Sequence, residues 1–417
     1  MSPRPAVSTL RLALLLGALS MFGPFAIDTL FPAFPAIARD FAITPFAMQQ
    51  SITAYLVAYA VMSLLHGPVS DSLGRKPVIL AGVLVFGLAS IGCALSQSLP
   101  ELLFYRALQG VSAGSGLIVG RAIIRDCLEG DAAQRLMSLV TMIFSIAPAL
   151  APIVGGWIIG VAHWSWIFWC LALLSLSLAL ATALALPETH PKHLRTPLRP
   201  RPLLQGNLAI LRNPQFLRLA LAGGCNFAAL FVYISSAPAF VLDILKLNEQ
   251  QFGWFFVPMI AGMTLGAFVS GRLAGRVSGT QAIRLGFAVC LGATVLNLSY
   301  NLLALPGFPW AMVPISMNAF GIALVFPILA LSILDMYPRQ RGAASSMQMV
   351  VGLTVNSTVA GLISPSVSHS PRLMALTSAL FAVLAWLIWR SYARRVVSVP
   401  GVAEPRDVAG LEPTERL

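Results

Sequence analysis

The chain has 417 residues, of which 57% are hydrophobic and only 10% are charged. Soluble domains carry about 25% charged residues, so this composition argues against a water-soluble fold. The formal net charge of +12 would suit a nucleic-acid-binding protein, because basic patches attract phosphate. However, the basic residues lie in short connectors between apolar runs, without the interleaved aromatic residues of a nucleic-acid surface. We therefore expect a membrane protein with no nucleic-acid partner.

Cysteine usage excludes two further classes of protein. The five cysteines form neither a CxxC pair nor a closely spaced even framework, so they predict neither a zinc site nor a disulfide scaffold. We interpret them as small apolar residues and expect no metal and no cofactor. They are Cys93, Cys127, Cys170, Cys225 and Cys290.

Twelve apolar runs follow one another along the chain, each bounded by charged or turn-forming residues. A helix crosses a bilayer with about 20 mostly apolar residues. Because the runs are continuously apolar, they predict helices rather than membrane strands, in which apolar and polar residues alternate. The sequence therefore predicts an all-α polytopic membrane protein with spans at roughly 10–31, 46–66, 77–97, 100–122, 136–160, 164–186, 216–240, 251–271, 282–304, 308–334, 343–364 and 372–390.

The spacing of the runs divides the chain into two halves of six spans. The stretch between the halves contains five prolines and several basic residues, which is typical of an exposed linker. We expect an N-terminal six-helix bundle over 1–186 and a cytoplasmic linker over 187–214. A C-terminal six-helix bundle over 215–394 and a disordered cytoplasmic tail over 395–417 complete the chain.

Lysine and arginine are distributed unequally between alternate connectors. Of the 27 basic residues, 23 fall on the side of the N-terminus, and cytoplasmic connectors carry such an excess. This asymmetry predicts a multi-pass protein of the bacterial inner membrane with both termini in the cytoplasm.

Two charged residues lie inside apolar runs, where a charge costs roughly 2.5 to 3.5 kcal/mol by conservative scales. Asp28 lies in the first run, either as a protonatable group facing a cavity or as a solvated residue at the outer end of the helix. Arg106 lies in the fourth run and needs a partner, for which Glu101, Asp28 and nearby backbone carbonyls are candidates. The alternative is that Arg106 has no such partner and that its side chain extends to the lipid headgroups. Gln109 shares the helix face of Arg106.

Other polar and aromatic side chains inside the spans are compatible with an amphiphilic substrate cavity. Hydrogen bonding between helices explains any one of them equally well. The candidate cavity residues are Phe25, Asp28, Tyr55, Tyr59, Gln109, Asn226, Phe227, Tyr233, Asn318, Gln348 and Asn356.

The connector between the second and third spans is a compact charged loop from Gly67 to Lys76. Glycine at Gly74 permits a tight turn, and Asp71 can hold a basic side chain or a helix N-terminus in one conformation only. We expect Gly67, Asp71, Gly74, Arg75 and Lys76 to form a cytoplasmic gate. The alternative is a topology signal from the two basic residues alone.

In the fifth span, prolines and small residues alternate at Pro148, Pro152, Gly155 and Gly156. Proline kinks a helix and glycine allows close packing. We expect this helix to seal one face of a pathway, although kinks without function are common in membrane helices.

These motifs resemble those of the major facilitator superfamily. The loop from Gly67 to Lys76 is similar to the signature between its second and third spans, and Arg106-Ala107-Leu108-Gln109-Gly110 matches its fourth-span motif. Asp28, followed by Pro32 and Pro35, resembles the first span of its bicyclomycin and chloramphenicol resistance group, which are drug:proton antiporters. The resemblance covers essentially the whole chain.

The resemblance implies a twelve-helix fold with two pseudo-symmetric halves, and proton coupling through Asp28 and Arg106. It also makes Asp126 a candidate partner of Arg75 in the gate. The fifth-span antiporter motif of the family carries glycines where this chain has other small residues, Ser138, Ala147 and Ala151.

We therefore expect a proton-coupled secondary transporter that exports small amphiphilic drugs by alternating access. Its expected partners are protons, a small-molecule substrate and membrane lipid. We expect the monomer to be the functional form. A transporter of a physiological metabolite such as a nucleoside, running in either direction, is the alternative. A membrane enzyme would display a polar catalytic cluster, and a channel a filter-like loop. We expect neither, because the five histidines are scattered, at His66, His163, His190, His193 and His369.

Overall fold

The computed structural model describes residues 9–128, 130–195, 197–273, 276–338 and 340–397. All regular elements in these ranges are helical. Within them, twelve helical segments are long and apolar enough to cross a membrane. The predicted fold class, an all-α polytopic protein with twelve spans, is confirmed. The expected tail over 395–417 falls almost entirely outside the described residues.

The helices of the first half of the chain are α1 (Thr9–Asp28), α2 (Phe34–Asp40), α3 (Pro45–Leu73), α4 (Arg75–Leu95), α5 (Leu99–Cys127), α6 (Gly130–Val161) and α7 (Ser165–Ala185). Those of the second half are α8 (Pro200–Arg212), α9 (Pro214–Ser235), α10 (Gly253–Leu273), α11 (Gly279–Leu303), α12 (Met312–Asp335), α13 (Arg341–Thr358), α14 (Ser364–Val367) and α15 (Pro371–Val397). Short 3-10 or π-helical segments lie at Phe31–Ala33, Lys192–Leu194, Ala239–Ile244, Glu249–Gln251 and Val359–Ile363.

Local signals fix where several helices begin. Proline is the first residue of α3, a position whose backbone N–H would have no helical partner. The side chain of Thr44 precedes it and accepts a hydrogen bond from the backbone N–H of Ala47 at 3.2 Å. At the start of α11, Ser278 and Gln281 form a reciprocal capping box. Because these caps start each helix at a defined residue, the connectors that join neighbouring spans are only a few residues long.

The chain forms two compact units. Unit 1 contains the residues up to Arg199 together with Leu247–Phe256, and unit 2 contains Pro200–Lys246 and the residues from Val257 onward. The helix α10 therefore begins in unit 1 and continues in unit 2. The domain limits expected from the sequence stay a prediction.

In unit 1, α5 packs against α1, α3 and α4, and glycines allow the close approach. A Cβ atom at Gly110 would collide with the backbone carbonyl of Tyr55 on α3. A Cβ atom at Gly116 would collide with the carbonyl oxygen of Leu19 on α1. The glycines of the fourth span thus bring α1 and α3 within backbone contact of α5. This close packing determines where the buried charged residues of unit 1 lie.

In unit 2, α9 packs against α15, α12 and α13, and α11 packs against α12 and α15. The pairing of the third span with the fourth and sixth in unit 1 recurs here as the pairing of the ninth span with the tenth and twelfth. The two halves are therefore built on a common pattern of helix pairs.

Two segments differ from the expected ones. The loop expected from Gly67 to Lys76 is almost entirely helical, because α3 runs on to Leu73 and α4 begins at Arg75. Only Gly74 is left between them, at a φ of 105° that favours glycine. The breaker residues Gly67 and Pro68 lie inside α3, where Gly67 has open space around it.

The expected linker contains a helix, α8, whose two prolines lie in its first turn, where a helix tolerates them. Its residues Asn207 and Ile210 are buried in unit 2, against the region of α9 and α13. This part of the linker is thus a packed amphipathic helix and not uniformly exposed.

Candidate functional site

Asp28 is the last residue of α1, and only 6% of its surface is exposed. Among the residues that the structure describes, its carboxyl group has neither a hydrogen bond nor an ion pair. It lies close enough to Tyr55 for an electrostatic interaction. Burial and the C-terminal end of a helix both disfavour a negative charge. Asp28 is therefore an acid in surroundings where its charged form is costly, and it is not the solvated residue of the alternative interpretation.

Arg106 lies on α5 and is fully buried. Its Nη1 donates to the side-chain oxygen of Gln109 at 2.7 Å and to the carbonyl of Ala26 at 3.3 Å. Its Nε donates to the carbonyl of Ser51 at 3.4 Å. The guanidinium carbon lies 4.5 Å from the ring centroid of Tyr55. In the described part of the chain, this cation is thus held by neutral groups from three helices.

Of the candidate partners of Arg106, the structure selects backbone carbonyls. Glu101 instead accepts from the backbone N–H of Gln97 at 2.8 Å, at the start of α5. Ala26 belongs to the last turn of α1, where carbonyls lack helical donors and carry partial negative charge. Arg106 therefore lies at the favourable end of a helix dipole. Its Nη2 atom is buried without a hydrogen-bond partner among the described residues.

Other predicted residues of unit 1 surround this pair of charges. The hydroxyl of Tyr55 donates to the carbonyl of Gly23 at 2.8 Å, which ties α3 to α1. The amide nitrogen of Gln109 donates to the hydroxyl of Ser90 at 2.7 Å. The rings of Tyr55 and Tyr59 meet edge to face at 6.3 Å. The structure thus brings Asp28, Tyr55, Tyr59, Arg106 and Gln109 together, while Phe25 is partly exposed on α1.

In unit 2, two predicted cavity residues meet at a cysteine. Asn226 and Asn318 are both buried, and the side-chain oxygen of each has no hydrogen-bond partner in the described residues. The thiol of Cys290 interacts with the side chain of Asn226 and with the carbonyl of Asn318 at 3.8 Å. The sequence interpretation of Cys290 as a merely apolar residue missed this polar contact.

A second polar cluster of unit 2 is built around Tyr233. Its hydroxyl accepts a hydrogen bond from the side chain of Asn297 at 2.8 Å, and Asn301 donates to the side-chain oxygen of Asn297 at 3.0 Å. Neither asparagine was among the candidates, although both lie in an apolar run. Predicted residues outside these two clusters are Phe227, stacked on Phe231 at 6.1 Å, and the partly buried Gln348 and Asn356.

Two of the predicted gate residues, Asp71 and Asp126, bind Arg75, whose side chain is buried in unit 1. Its Nε donates to Asp126 on α5 at 2.9 Å, and its Nη1 donates to Asp71 and, at 2.6 Å, to the hydroxyl of Ser70. Its backbone N–H donates to Glu188 at 3.0 Å. The side chain of Arg75 thus links the ends of α3, α4 and α5, and its backbone N–H adds a contact with the segment after α7.

The segment after α7 adds residues to the gate that the sequence did not reveal. Thr189 donates to Asp126 at 3.1 Å, and Lys76 donates to the carbonyl of Ala183 at 2.7 Å. A Cβ atom at Gly74 would lie 2.5 Å from a carboxylate oxygen of Glu188. The available signal was an acid, Glu188, in a segment that is otherwise basic.

The antiporter-motif helix α6 contains Pro148 and Pro152 and is helical throughout. A Cβ atom at Gly155 would collide with the carbonyl of Thr29, just after α1. A Cβ atom at Gly156 would collide with the carbonyl of Glu249. These glycines are therefore required by close backbone contacts within unit 1. Ala147 and Ala151, which replace the glycines of the family motif, are fully buried.

A search for groups of metal-binding side chains finds none among the described residues. The arrangement is instead that of a membrane protein with twelve spans and with an acid and a base buried inside its helices, which is typical of transporters. Residues 14–360 match the family model of the Major Facilitator Superfamily. The chain therefore belongs to the Major Facilitator Superfamily, a family of membrane transporters and not of enzymes.

Curated relatives and solved structures agree with this assignment. The chain is 30% identical over 366 residues to the bicyclomycin resistance protein homolog of Haemophilus influenzae, covering 85% of this chain and 90% of that protein. It is 29% identical to the chloramphenicol resistance protein CraA of Acinetobacter baumannii, covering 72% of this chain and 73% of CraA.

Among solved structures, the human organic anion transporter MFSD10 superimposes with a TM-score of 0.70 at 18% sequence identity. The match covers 91% of this chain and 99% of MFSD10. At this identity the likeness concerns the fold alone.

Proposed function

We propose that the chain is a proton-coupled transporter that exports small amphiphilic drugs by alternating access. The observation that carries the proposal lies in unit 1, where a buried acid, Asp28, and a buried base, Arg106, both act electrostatically on Tyr55, and neither has an ionic partner among the described residues. Each buried charge costs several kcal/mol, and intramembrane ionisable groups are kept mainly for ion movement.

In this mechanism Asp28 binds a proton from one side of the membrane and releases it to the other. Arg106, held at the end of α1 by the carbonyl of Ala26, supplies a fixed positive charge that favours the ionised acid when water or a cationic substrate reaches it. The protonated and ionised forms of Asp28 then differ in their affinity for substrate, and this difference couples proton entry to drug exit.

The drug class rests on the relatives named for bicyclomycin and chloramphenicol resistance. The polar and aromatic residues given above as cavity candidates are proposed to contact the substrate. The asparagines Asn226 and Asn318 suit this role, since their side-chain oxygen atoms have no hydrogen-bond partner among the described residues and can accept hydrogen bonds from a ligand.

The cluster around Arg75 is proposed to act as the cytoplasmic gate, and α6 to seal the pathway through its glycine contacts. The positive-inside rule supports a topology with both termini in the cytoplasm. We further propose that the protein lies in the bacterial inner membrane and works as a monomer. Reporter fusions at the two termini test this topology.

The experiment that tests the proposal uses proteoliposomes loaded with chloramphenicol or ethidium and energised by a proton gradient. The parent protein is expected to move at least one of the two probes against its gradient. Asp28→Asn is expected to lose gradient-driven transport by at least tenfold, and Asp28→Glu to recover part of it.

The matched control is Asp243→Asn, which removes an exposed carboxylate from the short π-helical segment after α9. This control is expected to transport like the parent. Equal gradient-driven transport by Asp28→Asn and the parent would overturn the assignment.

A further inference from the structure

His66 is a buried titratable residue that the coupling mechanism described above does not use. It lies on α3, seven residues before the end of that helix, and only 3% of its surface is exposed. Its Nδ1 atom is buried and has no hydrogen-bond partner among the described residues. A buried polar atom without a partner is energetically unfavourable. Packing alone would be served better by an apolar residue at this position.

The ring of His66 shares a helix face with the two tyrosines near Asp28. Tyr55, Tyr59 and His66 are separated by four and seven residues, and this spacing places all three on the side of α3 that packs against α5. The edge-to-face contact joins the first two rings. A Cβ atom at Gly114 of α5 would lie 2.7 Å from the ring of Tyr59 and 3.1 Å from Nδ1 of His66. The rings of Tyr59 and His66 therefore both lie beside this glycine.

Along α3, the side chains of Tyr55, Tyr59 and His66 lie between the buried acid Asp28 and the gate. Tyr55 interacts electrostatically with both Asp28 and Arg106. His66 lies at the other end, five residues before Asp71 of the gate. Two tyrosines and one histidine thus lie along one side of α3, inside unit 1.

Three helices, α2, α4 and α5, pack on α3 and carry charged groups. On α5, Arg121 acts electrostatically on Tyr59, and Ile118 lies beside the same glycine as the imidazole. On α4, Arg75 is already bound to two carboxylates. On α2, Arg39 and Asp40 lie close to the opposite end of α3. On α3 itself, Asp71 belongs to the gate.

We propose that His66 is a second protonation site of the transporter, which receives the proton released by Asp28 and passes it to the cytoplasmic side. This inference rests on the proposed proton coupling. Nδ1 of His66, which has no hydrogen-bond partner among the described residues, binds one proton, and the ring becomes an imidazolium. The imidazolium then releases the same Nδ1 proton to water on the cytoplasmic side, so the imidazole returns to its starting tautomer. Imidazole suits this task because its ordinary pKa lies near physiological pH.

The first test observes the site itself. The full-length protein, labelled with ¹⁵N-histidine and held in lipid nanodiscs, is titrated between about pH 5 and pH 9 by NMR. The signal that disappears in His66→Gln belongs to His66. It is expected to titrate, and its midpoint is expected to move in Asp28→Asn. A His66 signal that does not titrate, or whose midpoint is the same in both proteins, would overturn the proposal.

The second test compares two kinds of chloramphenicol transport in proteoliposomes. Gradient-driven export requires net proton movement, whereas exchange of internal for external chloramphenicol does not. His66→Gln is expected to lower gradient-driven export about fivefold to tenfold, most strongly at high pH on the cytoplasmic side, while exchange falls by less than about twofold. His369→Gln, an exposed histidine of unit 2, is the matched control and is expected to behave like the parent.

An equal loss of both activities in His66→Gln would mean a structural role and would contradict the proposal, as would no loss of either. These outcomes are distinct from a failure of the proposed function, in which the parent protein itself shows no gradient-driven transport of either probe.

Discussion

Replacing Arg106 by methionine separates a structural role of this residue from a functional one. The substitution removes a fully buried cation and keeps much of its volume. Because the described partners of the guanidinium are neutral, no buried carboxylate is left behind. We therefore expect Arg106→Met to fold and to lose coupled transport by at least tenfold.

The stability change follows mainly from three contributions, because the hydrogen bonds from Arg106 to the carbonyls of Ala26 and Ser51, at 3.3 and 3.4 Å, are longer than the one to Gln109. Removing the cation recovers its desolvation cost, which is several kcal/mol. The hydrogen bond to Gln109 is lost, at about 1.5–3 kcal/mol for a charged donor. The side-chain oxygen of Gln109 is left without its donor, at a further ~1–3 kcal/mol. These contributions nearly cancel, so the thermal midpoint of Arg106→Met is expected within a few degrees of the parent.

Arg75→Met is the matched comparison, since Arg75 is also buried but is bound to Asp71 and Asp126. Removing one partner of a buried charge cluster costs about 3–5 kcal/mol. Thermal unfolding in detergent, followed by tryptophan fluorescence, measures both variants. If Arg106→Met is destabilised as strongly as Arg75→Met, or if it still couples transport to the gradient, the reasoning about Arg106 is wrong.

Two further predictions concern the gate and the packing of α5. Asp126→Asn removes the ionic contact at 2.9 Å to Arg75, which is worth about 1.5–3 kcal/mol. We expect this variant to change the rate of conformational cycling about tenfold or more, with little effect on substrate affinity, and stopped-flow fluorescence measures that rate. Normal turnover in this variant would contradict the proposed gate role of Asp126. Gly116→Leu places a side chain against the carbonyl of Leu19, and we expect size-exclusion chromatography to show no folded protein for this variant. The control is Gly120→Ala, whose Cβ would have its nearest neighbour at 3.7 Å, and we expect this variant to fold.

The spans could be predicted from hydropathy alone, because lipid requires continuous apolar helices. Their ends could not. The second span was expected to end near residue 66, but α3 continues to Leu73 through Gly67 and Pro68. Both residues are helix breakers in water, and packing of α3 on α5 outweighs that preference here. The helix α8 was hidden for a similar reason, since its prolines suggested a linker.

The burial of Asp28 and Arg106 could be expected from two charges in apolar runs. The partners of Arg106 could not, because Ala26 and Ser51 are 80 and 55 residues away and contribute only backbone carbonyls. A carbonyl carries no signature in the sequence. Cys290 was misread for a related reason, because a cysteine shows its polar contacts only once the helices have packed.

The proposed coupling requires Asp28 to give up a proton when substrate binds. Adding chloramphenicol to the purified protein in weakly buffered detergent solution, and recording the pH change with an indicator dye, measures this release. We expect the parent to release protons and Asp28→Asn, at equal protein concentration, to release none. Binding of chloramphenicol by the parent without proton release, or the same release from Asp28→Asn, would contradict the proposed coupling.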